Sequence, residues 1–336
     1  MTSSEPLRIG LLGAARISDR ALVAPAATTG DRLVAVASRD RARAERFAAE
    51  HRVERVLDDY AALVADDEVD VVYNPLANGL HGPWNLAAIA AGKHVLSEKP
   101  FASNAAEARE VAAAARAAGV TVVEAFHYVH HPVMRRMHEL LETGELGELT
   151  RVEAYFTMPA PAPENPRWLF ELAGGALMDV GCYCLHAHRT LAPWAGGEPT
   201  VVAARGGERA GQPGVDEWLE ADLAFPGGAT GFARCSMNDR SRVTLRLVGT
   251  EGEATAYNFA VPHRDDRILV ATKAGGERTE HLGTRTSYTY QLEAFRAQVR
   301  GGVPPTLDDA VANAELIDAA YTAAGFPPRP TFGRTP

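Results

Sequence analysis

Between Leu7 and Ala125 the chain alternates short apolar runs with amphipathic segments of about 10–15 residues, and this rhythm constrains the fold more than any other feature. The apolar runs cover residues 7–12, 33–37, 69–73, 95–96 and 120–125, with a weaker one near Arg55-Val56. Helices are predicted over 41–51, 60–65, 83–91 and 104–118, the last two closed by Gly92 and Gly119. Near-continuous apolar strands separated by helices and short loops make a parallel sheet covered on both faces. Beyond residue 126 the pattern changes. Strands between Val201 and Leu282 are separated by Pro226-Gly227-Gly228, Gly249-Thr250-Glu251-Gly252 and Gly275-Gly276, which reads as a sheet of antiparallel hairpins.

The expected class is α/β. An N-terminal Rossmann-type domain over 1–126 is joined to a C-terminal α+β domain over 127–336 with an open, mostly antiparallel sheet. Helices predicted over 288–300 and 307–324 close the chain and can pack back on the first domain. A length of 336 residues suits two cores better than one. A net charge of −9 without a Lys/Arg cluster argues against a nucleic-acid surface. No apolar run reaches about 18 residues and the N-terminus has no apolar signal region, so no membrane partner and a cytoplasmic location are expected. The three cysteines cannot all pair, and Cys182 with Cys184 is too small a set for a zinc site.

The first strand breaks at Gly10-Leu11-Leu12-Gly13-Ala14-Ala15-Arg16-Ile17, a turn of small residues leading into a helix. Such a turn lets backbone approach a pyrophosphate at a helix N-terminus. At the end of the second strand, Ser38-Arg39 stands where an acidic residue would hold a ribose 2′-hydroxyl. A guanidinium there suits a 2′-phosphate, so NADP(H) is expected rather than NAD(H). Asp40 reads as the cap of the helix that follows. The fifth strand runs into Glu98-Lys99-Pro100 at the carboxyl edge of the sheet, where doubly wound folds bind ligands.

In the second half, Gly174-Gly175-Ala176-Leu177-Met178-Asp179-Val180-Gly181-Cys182-Tyr183 opens a helix. Asp179, Tyr183 and His186 are spaced i, i+4, i+7, a polar stripe on one face. His127, Arg167, Trp168, Asp179, His186 and Tyr288 are candidate substrate contacts. His127, His130 and His131 invite a metal reading, but adjacent histidines on an extended segment point apart and no carboxylate shares their spacing, so no metal is expected.

The glycine turn, the segment Asn74-Pro75 to His81, Glu98-Lys99-Pro100 and the Gly174–Tyr183 run together resemble the glucose–fructose oxidoreductase/inositol dehydrogenase (Gfo/Idh/MocA) family over nearly the whole chain. The resemblance implies that Pro75, Leu76, Asn78, His81, Glu98 and Lys99 join Gly10, Gly13, Ala14, Ala15, Arg16, Ile17, Ser38 and Arg39 around the cofactor. It implies that Lys99 is catalytic and that the Asp179 helix supplies acid–base groups. Many members carry His where this chain has Tyr183, and the tyrosine form resembles the branch of dimeric dihydrodiol dehydrogenase, NADP-dependent xylose dehydrogenase and glucose–fructose oxidoreductase. A homodimer or homotetramer through the outer face of the second sheet is also implied. The apolar strands 243–248 and 221–225 point the same way, since two exposed faces would leave a large apolar patch.

The expected reaction moves a hydride between nicotinamide and a secondary or anomeric alcohol carbon of a sugar or cyclic polyol. A trans-dihydrodiol is the alternative substrate. A non-catalytic NADP sensor and a redox-assisted glycosidase are the alternative functions. An unperturbed tyrosine titrates at about 10. A neighbouring lysine ammonium favours the phenolate and brings it toward neutrality. Tyr183 is therefore expected to be the proton donor and acceptor, Lys99 the group that tunes it, and Asp179 the orienter. In the rival assignment Lys99 is itself the shuttle.

Overall fold

A computed structural model describes residues 5–301 and 307–333. It divides into two compact units. Among the described residues, one comprises 5–126, 288–301, 307–311 and 331–333, the other 127–287 and 312–330.

The first unit carries a sheet in the order β3-β2-β1-β4-β5-β6, with every pairing parallel. Its strands are β1 (Arg8–Leu12), β2 (Arg32–Ala37), β3 (Val56–Leu57), β4 (Val71–Asn74), β5 (His94–Ser97) and β6 (Val122–Glu124). Between them lie α1 (Ala24–Thr29), α2 (Arg41–His51), α3 (Tyr60–Ala65), α4 (His81–Ala90) and α5 (Ala105–Ala118). Strands β1, β2 and β4 are buried almost throughout, as a sheet covered on both faces requires. Local chemistry sets the helix ends. Asp40 accepts from the Arg43 amide at the start of α2, and Asn104 accepts from the Glu107 amide at the start of α5. Strand order reverses between β1 and β4, so the crevice at their carboxyl ends is the ligand position of this topology. Tyr288, Leu292 and Phe295 of a later helix pack into the core of this unit with Leu7, Ile9 and Leu11.

The second unit carries α6 (Pro132–Glu142), β7 (Leu149–Thr157), α7 (Cys182–Arg189) and the strands β8 (Thr200–Glu208), β9 (Asp216–Ala224), β10 (Thr230–Ser236), β11 (Arg242–Gly249), β12 (Gly252–Ala256), β13 (Arg267–Thr272) and β14 (Gly276–His281). Helices α8 (Ser287–Gly301) and α9 (Asp308–Ala323) close the chain. The eight strands run in the order β14-β13-β12-β11-β7-β10-β9-β8. All pairings are antiparallel except β7 with β10, so the sheet is mostly antiparallel as expected. Helix α7 and the turn before it lie across β7 and β10.

The strands expected to expose an apolar face do not. Leu245 and Leu247 of β11, and Ala221 and Leu223 of β9, are turned inward and buried. The alternate positions carry ion-pair ladders instead, Arg205–Glu220–Arg234 and Arg151–Glu153–Arg246 on the same face, with Arg242 stacked over Tyr155 at 3.4 Å. Period-two alternation separates the two faces, which counting apolar residues alone had merged. No helix among the described residues is long and apolar enough to cross a membrane.

Candidate active site

The end of β1 is a turn that a side chain would obstruct. Gly13 holds φ at +85°, its amide donates to the Ala37 carbonyl at 2.7 Å, and a Cβ there would sit 3.2 Å from Leu76. Its tight approach brings the β1 and β4 loops together at the crevice. Ala14 is buried, Ala15 and Ile17 are half-buried, and Arg16 is exposed. Gly10 lies one turn deeper, packed against Leu63 and Val69, and shapes the strand rather than the rim. Ser18, at the start of the following helical turn, is fully buried, and its hydroxyl has no hydrogen-bond partner among the described residues. Small residues at a helix start with an unsatisfied hydroxyl fit a pyrophosphate.

At the end of β2, the Ser38 hydroxyl accepts from the Asp40 amide at 3.3 Å, and Asp40 is turned into the α2 cap. Arg39 is exposed and has no ion-pair partner among the described residues. Asp40 is thus committed to the helix and Asp58, at the neighbouring strand end, to Arg41, and the Arg39 guanidinium remains for an anion. That donor set fits a 2′-phosphate.

Along the β4 and β5 ends the buried amides interlock. Asn74 donates to the His81 carbonyl and to Asn85, and Asn85 donates to the Ser97 hydroxyl at 2.9 Å. His81 is almost wholly buried, with Nδ1 2.7 Å from the Pro100 carbonyl and Nε2 2.9 Å from the Leu76 carbonyl. Burial lowers its pKa to about 4, so the ring is neutral and donates to one of the two. His81 therefore sits between the Leu76 turn and the Lys99–Pro100 turn and fastens one of them. Pro75 is buried, while Leu76 and Asn78 are half-buried at the crevice. Glu98 is buried and accepts from the Tyr73 hydroxyl at 2.9 Å. Burial raises its pKa, against the opposing pull of the Lys99 charge. Lys99 is half-buried, and its peptide bond to Pro100 is cis.

In the second unit, the turn before α7 is anchored from below. Asp216 accepts from the Leu177 amide at 2.7 Å, from the Tyr321 hydroxyl at 2.9 Å and from Arg329, which also donates to the Gly174 carbonyl. Gly175 holds φ at +130°, and a Cβ there would lie 1.9 Å from Asp216 Oδ1. Residues Leu177–Gly181 then form a wide π-type turn rather than a regular α turn. Five-residue spacing alters the expected i, i+4, i+7 stripe. Tyr183 and His186 remain on the side of Tyr128, with ring centroids 5.7 Å from it in both cases, whereas Asp179 pairs with Arg167 at 3.2 Å.

Tyr183 is buried, its ring walled by Tyr128 and Phe156 and its hydroxyl 3.4 Å from His127 Nε2. His186 Nδ1 lies 2.7 Å from the Tyr128 hydroxyl. Two candidate substrate contacts fall elsewhere. Trp168 has no exposed surface and is stacked under Arg209 at 3.9 Å. Tyr288 is buried in the core of the first unit. Large aromatic rings are as useful to a core as to a pocket, and composition could not separate the two. Tyr128, Ser287, His263, Asp216 and Arg329 were not singled out from sequence. Only Tyr128 carried a signal, lying within the polar run from His127 to His131. Among the described residues no group of three His, Cys, Asp or Glu side chains could hold a metal ion.

Comparison with known proteins agrees with both units. The profile described as an oxidoreductase family with an NAD-binding Rossmann fold matches residues 7–126, and that of the GFO/IDH/MocA C-terminal domain matches 134–255. D-xylose 1-dehydrogenase (NADP(+)) 2 of Haloferax volcanii is 35% identical over 322 residues, covering 95% of this chain and 97% of that one. Trans-1,2-dihydrobenzene-1,2-diol dehydrogenase of Mus musculus is 33% identical over 336 residues, covering 95% and 97%. Among solved structures, a 3-ketoreductase from Actinomadura kijaniata in complex with NADP and TDP-benzene superposes with a TM-score of 0.88 at 29% identity, covering 95% of this chain and 98% of that one. The chain belongs to the Gfo/Idh/MocA family of oxidoreductases.

Proposed function

We propose that this oxidoreductase transfers hydride between NADP(H) and a secondary or anomeric carbon of a sugar or cyclic polyol, with Tyr183 as the acid–base group. The observation that carries the reading is the buried Tyr183 hydroxyl on α7, walled by aromatic rings and hydrogen-bonded to an imidazole. A phenol so placed can give or take a proton without competition from bulk water. The Gly13 turn and the unsatisfied Ser18 hydroxyl would hold the pyrophosphate, and Ser38 with Arg39 the 2′-phosphate. When bound, the nicotinamide supplies or accepts the hydride.

Each protein group then has a separate task. In oxidation, Tyr183 takes the substrate hydroxyl proton; in reduction, it returns one to the carbonyl oxygen. Lys99, which follows β5 at the carboxyl edge of its sheet, is the cationic group assigned to assist the acid–base step. Asp179, paired with Arg167, orients polar groups of the substrate. The names of the relatives support this class of reaction, and the xylose and dihydrodiol dehydrogenases define the range of substrates worth trying. Absorbance of NADPH with a panel of aldoses, cyclic polyols, dihydrodiols and nucleotide-linked keto sugars, run in both directions, tests the reading. No turnover with any member of the panel would refute it. Association through the outer face of the eight-stranded sheet belongs to the same proposal, with the charged ladders and Tyr155 as the contact chemistry. A monomeric mass at micromolar concentration would contradict that part.

A further inference from the structure

Tyr183 is buried, yet a group that takes a proton at every turnover must pass that proton on before the next. The second unit contains a continuous set of partners that could do this. His127 is 1% exposed and places Nε2 3.4 Å from the Tyr183 hydroxyl and Nδ1 2.8 Å from the Ser287 hydroxyl. Ser287 has no exposed surface, and its hydroxyl lies 3.0 Å from Nδ1 of His263. His263 is partly exposed, the only member of the series with more than a trace of surface.

The partners also set the direction of the chain. The backbone amide of Ser287 points at His263 Nδ1 at 3.4 Å, which makes that nitrogen an acceptor and puts the ring proton on Nε2. The Ser287 hydroxyl then donates to His263 Nδ1 and is left to accept from His127 Nδ1–H. His127 Nε2 is consequently an acceptor for the Tyr183 hydroxyl. All three links point the same way, from the phenol outward, with tautomers inferred from their partners. The first link is the longest, and catalytic hydrogen bonds often tighten only with substrate bound.

We propose that His127, Ser287 and His263 form a proton relay between Tyr183 and solvent. The inference rests on Tyr183 being the acid–base group. In oxidation, the substrate O–H bond breaks and its proton bonds to the Tyr183 oxygen as the phenolic proton passes to His127 Nε2. His127 Nδ1–H passes to the Ser287 oxygen, the Ser287 proton to His263 Nδ1, and His263 Nε2–H to water. One proton leaves for each hydride transferred, and no group keeps a net charge. The chain is then reversed, with His127 Nε2–H facing the phenol, and this is the arrangement that reprotonates Tyr183 after it has served as an acid in reduction. A relay role also accounts for His127 having almost no surface to offer a substrate. Other titratable groups stand close to this path: Tyr128 with His186 beside the Tyr183 ring, and His131 with Asp266 near His263.

The test uses the full-length enzyme with Ser287→Ala, which cuts the relay at a small buried hydroxyl, and His127→Ala, which leaves space for a carrier. At low buffer concentration both variants should turn over about 100-fold more slowly, the lower end of what a positioned proton-transfer group contributes. Michaelis constants for cofactor and substrate should stay near those of the parent. Added imidazole should restore much of the lost turnover in His127→Ala, and the parent should not respond to it. Parental turnover in Ser287→Ala at low buffer would overturn the relay, and so would a loss in His127→Ala that imidazole fails to restore while the melting temperature is unchanged. Tyr183→Phe run alongside separates the two claims. If it is inactive while Ser287→Ala is normal, Tyr183 keeps its role and only the relay falls. If it is fully active, the reading beneath the relay falls.

Discussion

Asp216→Asn should destabilise the second unit and loosen the turn that presents Asp179 and Tyr183. Asp216 and Arg329 are essentially without exposed surface. The Asp216 carboxylate accepts from the Leu177 amide, from Tyr321 and from Arg329, so both of its oxygens are engaged. An asparagine keeps the shape but has one acceptor oxygen and no charge. It leaves the guanidinium buried without a counter-ion, a change worth about 3–5 kcal/mol. At about 2–4 °C per kcal/mol for a unit of this size, the melting midpoint should fall by roughly 6–20 °C. Calorimetry measures the shift, and turnover at a temperature where the variant is still folded measures the effect on the turn. The double variant Asp216→Leu with Arg329→Met should recover much of the stability, because no uncompensated charge remains. It should not recover turnover, since leucine cannot hold the Leu177 amide. The reasoning fails if Asp216→Asn costs less than about 1 kcal/mol, the worth of an exposed pair, or if the double variant is as active as the parent.

Arg39→Ala should raise the Michaelis constant for NADP by about one to two decades, from the loss of a charged contact worth roughly 1.5–3 kcal/mol, and should leave that for NAD nearly unchanged. Equal loss with both cofactors would make Arg39 structural. Acid should weaken the fold through two buried histidines, His81 and His188, whose pKa values burial lowers to about 4. The unfolded chain takes up their protons below about 6.5 and the folded chain does not until about 4, so this stability is present above pH 6.5 and is lost as pH falls toward 4. Between pH 7 and pH 5 each histidine should cost about 2 kcal/mol. Melting curves at the two pH values, for the parent and His188→Gln, check the sign: the variant should lose less on acidification, and an equal loss would contradict it.

Much of this was legible in local sequence. Helices 41–51 and 60–65 were placed to the residue, because Asp40 and Asp59 are capping residues and a cap acts within three positions of itself. The same locality separated Asp40, the cap, from Arg39 beside it. Position at a strand end brought Lys99 forward and helical spacing Asp179 and Tyr183, and the family resemblance added the catalytic role of Lys99. What escaped depends on residues far apart in the chain. His127 meets Ser287 across 160 positions and Asp216 meets Arg329 across 113, and no periodicity encodes such pairs. The wide turn over Leu177–Gly181 was hidden for another reason: its residues read as an ordinary α-helix, and nothing in their local pattern marks a fifth-residue spacing. Trp168 and Tyr288 were misplaced because an aromatic ring carries no mark of whether it will line a pocket or fill a core.

The most direct test of the central claim is the turnover of Tyr183→Phe with NADP and an accepted substrate. This change removes one oxygen and keeps the ring that packs against Tyr128 and Phe156. Folding and NADP affinity should hardly change. Turnover should fall by about 100-fold to 10,000-fold, the usual contribution of a positioned acid–base group. A Tyr183→Phe enzyme that keeps most of its turnover, beside a Lys99→Met enzyme that has none, would contradict the account and make Lys99 the proton shuttle.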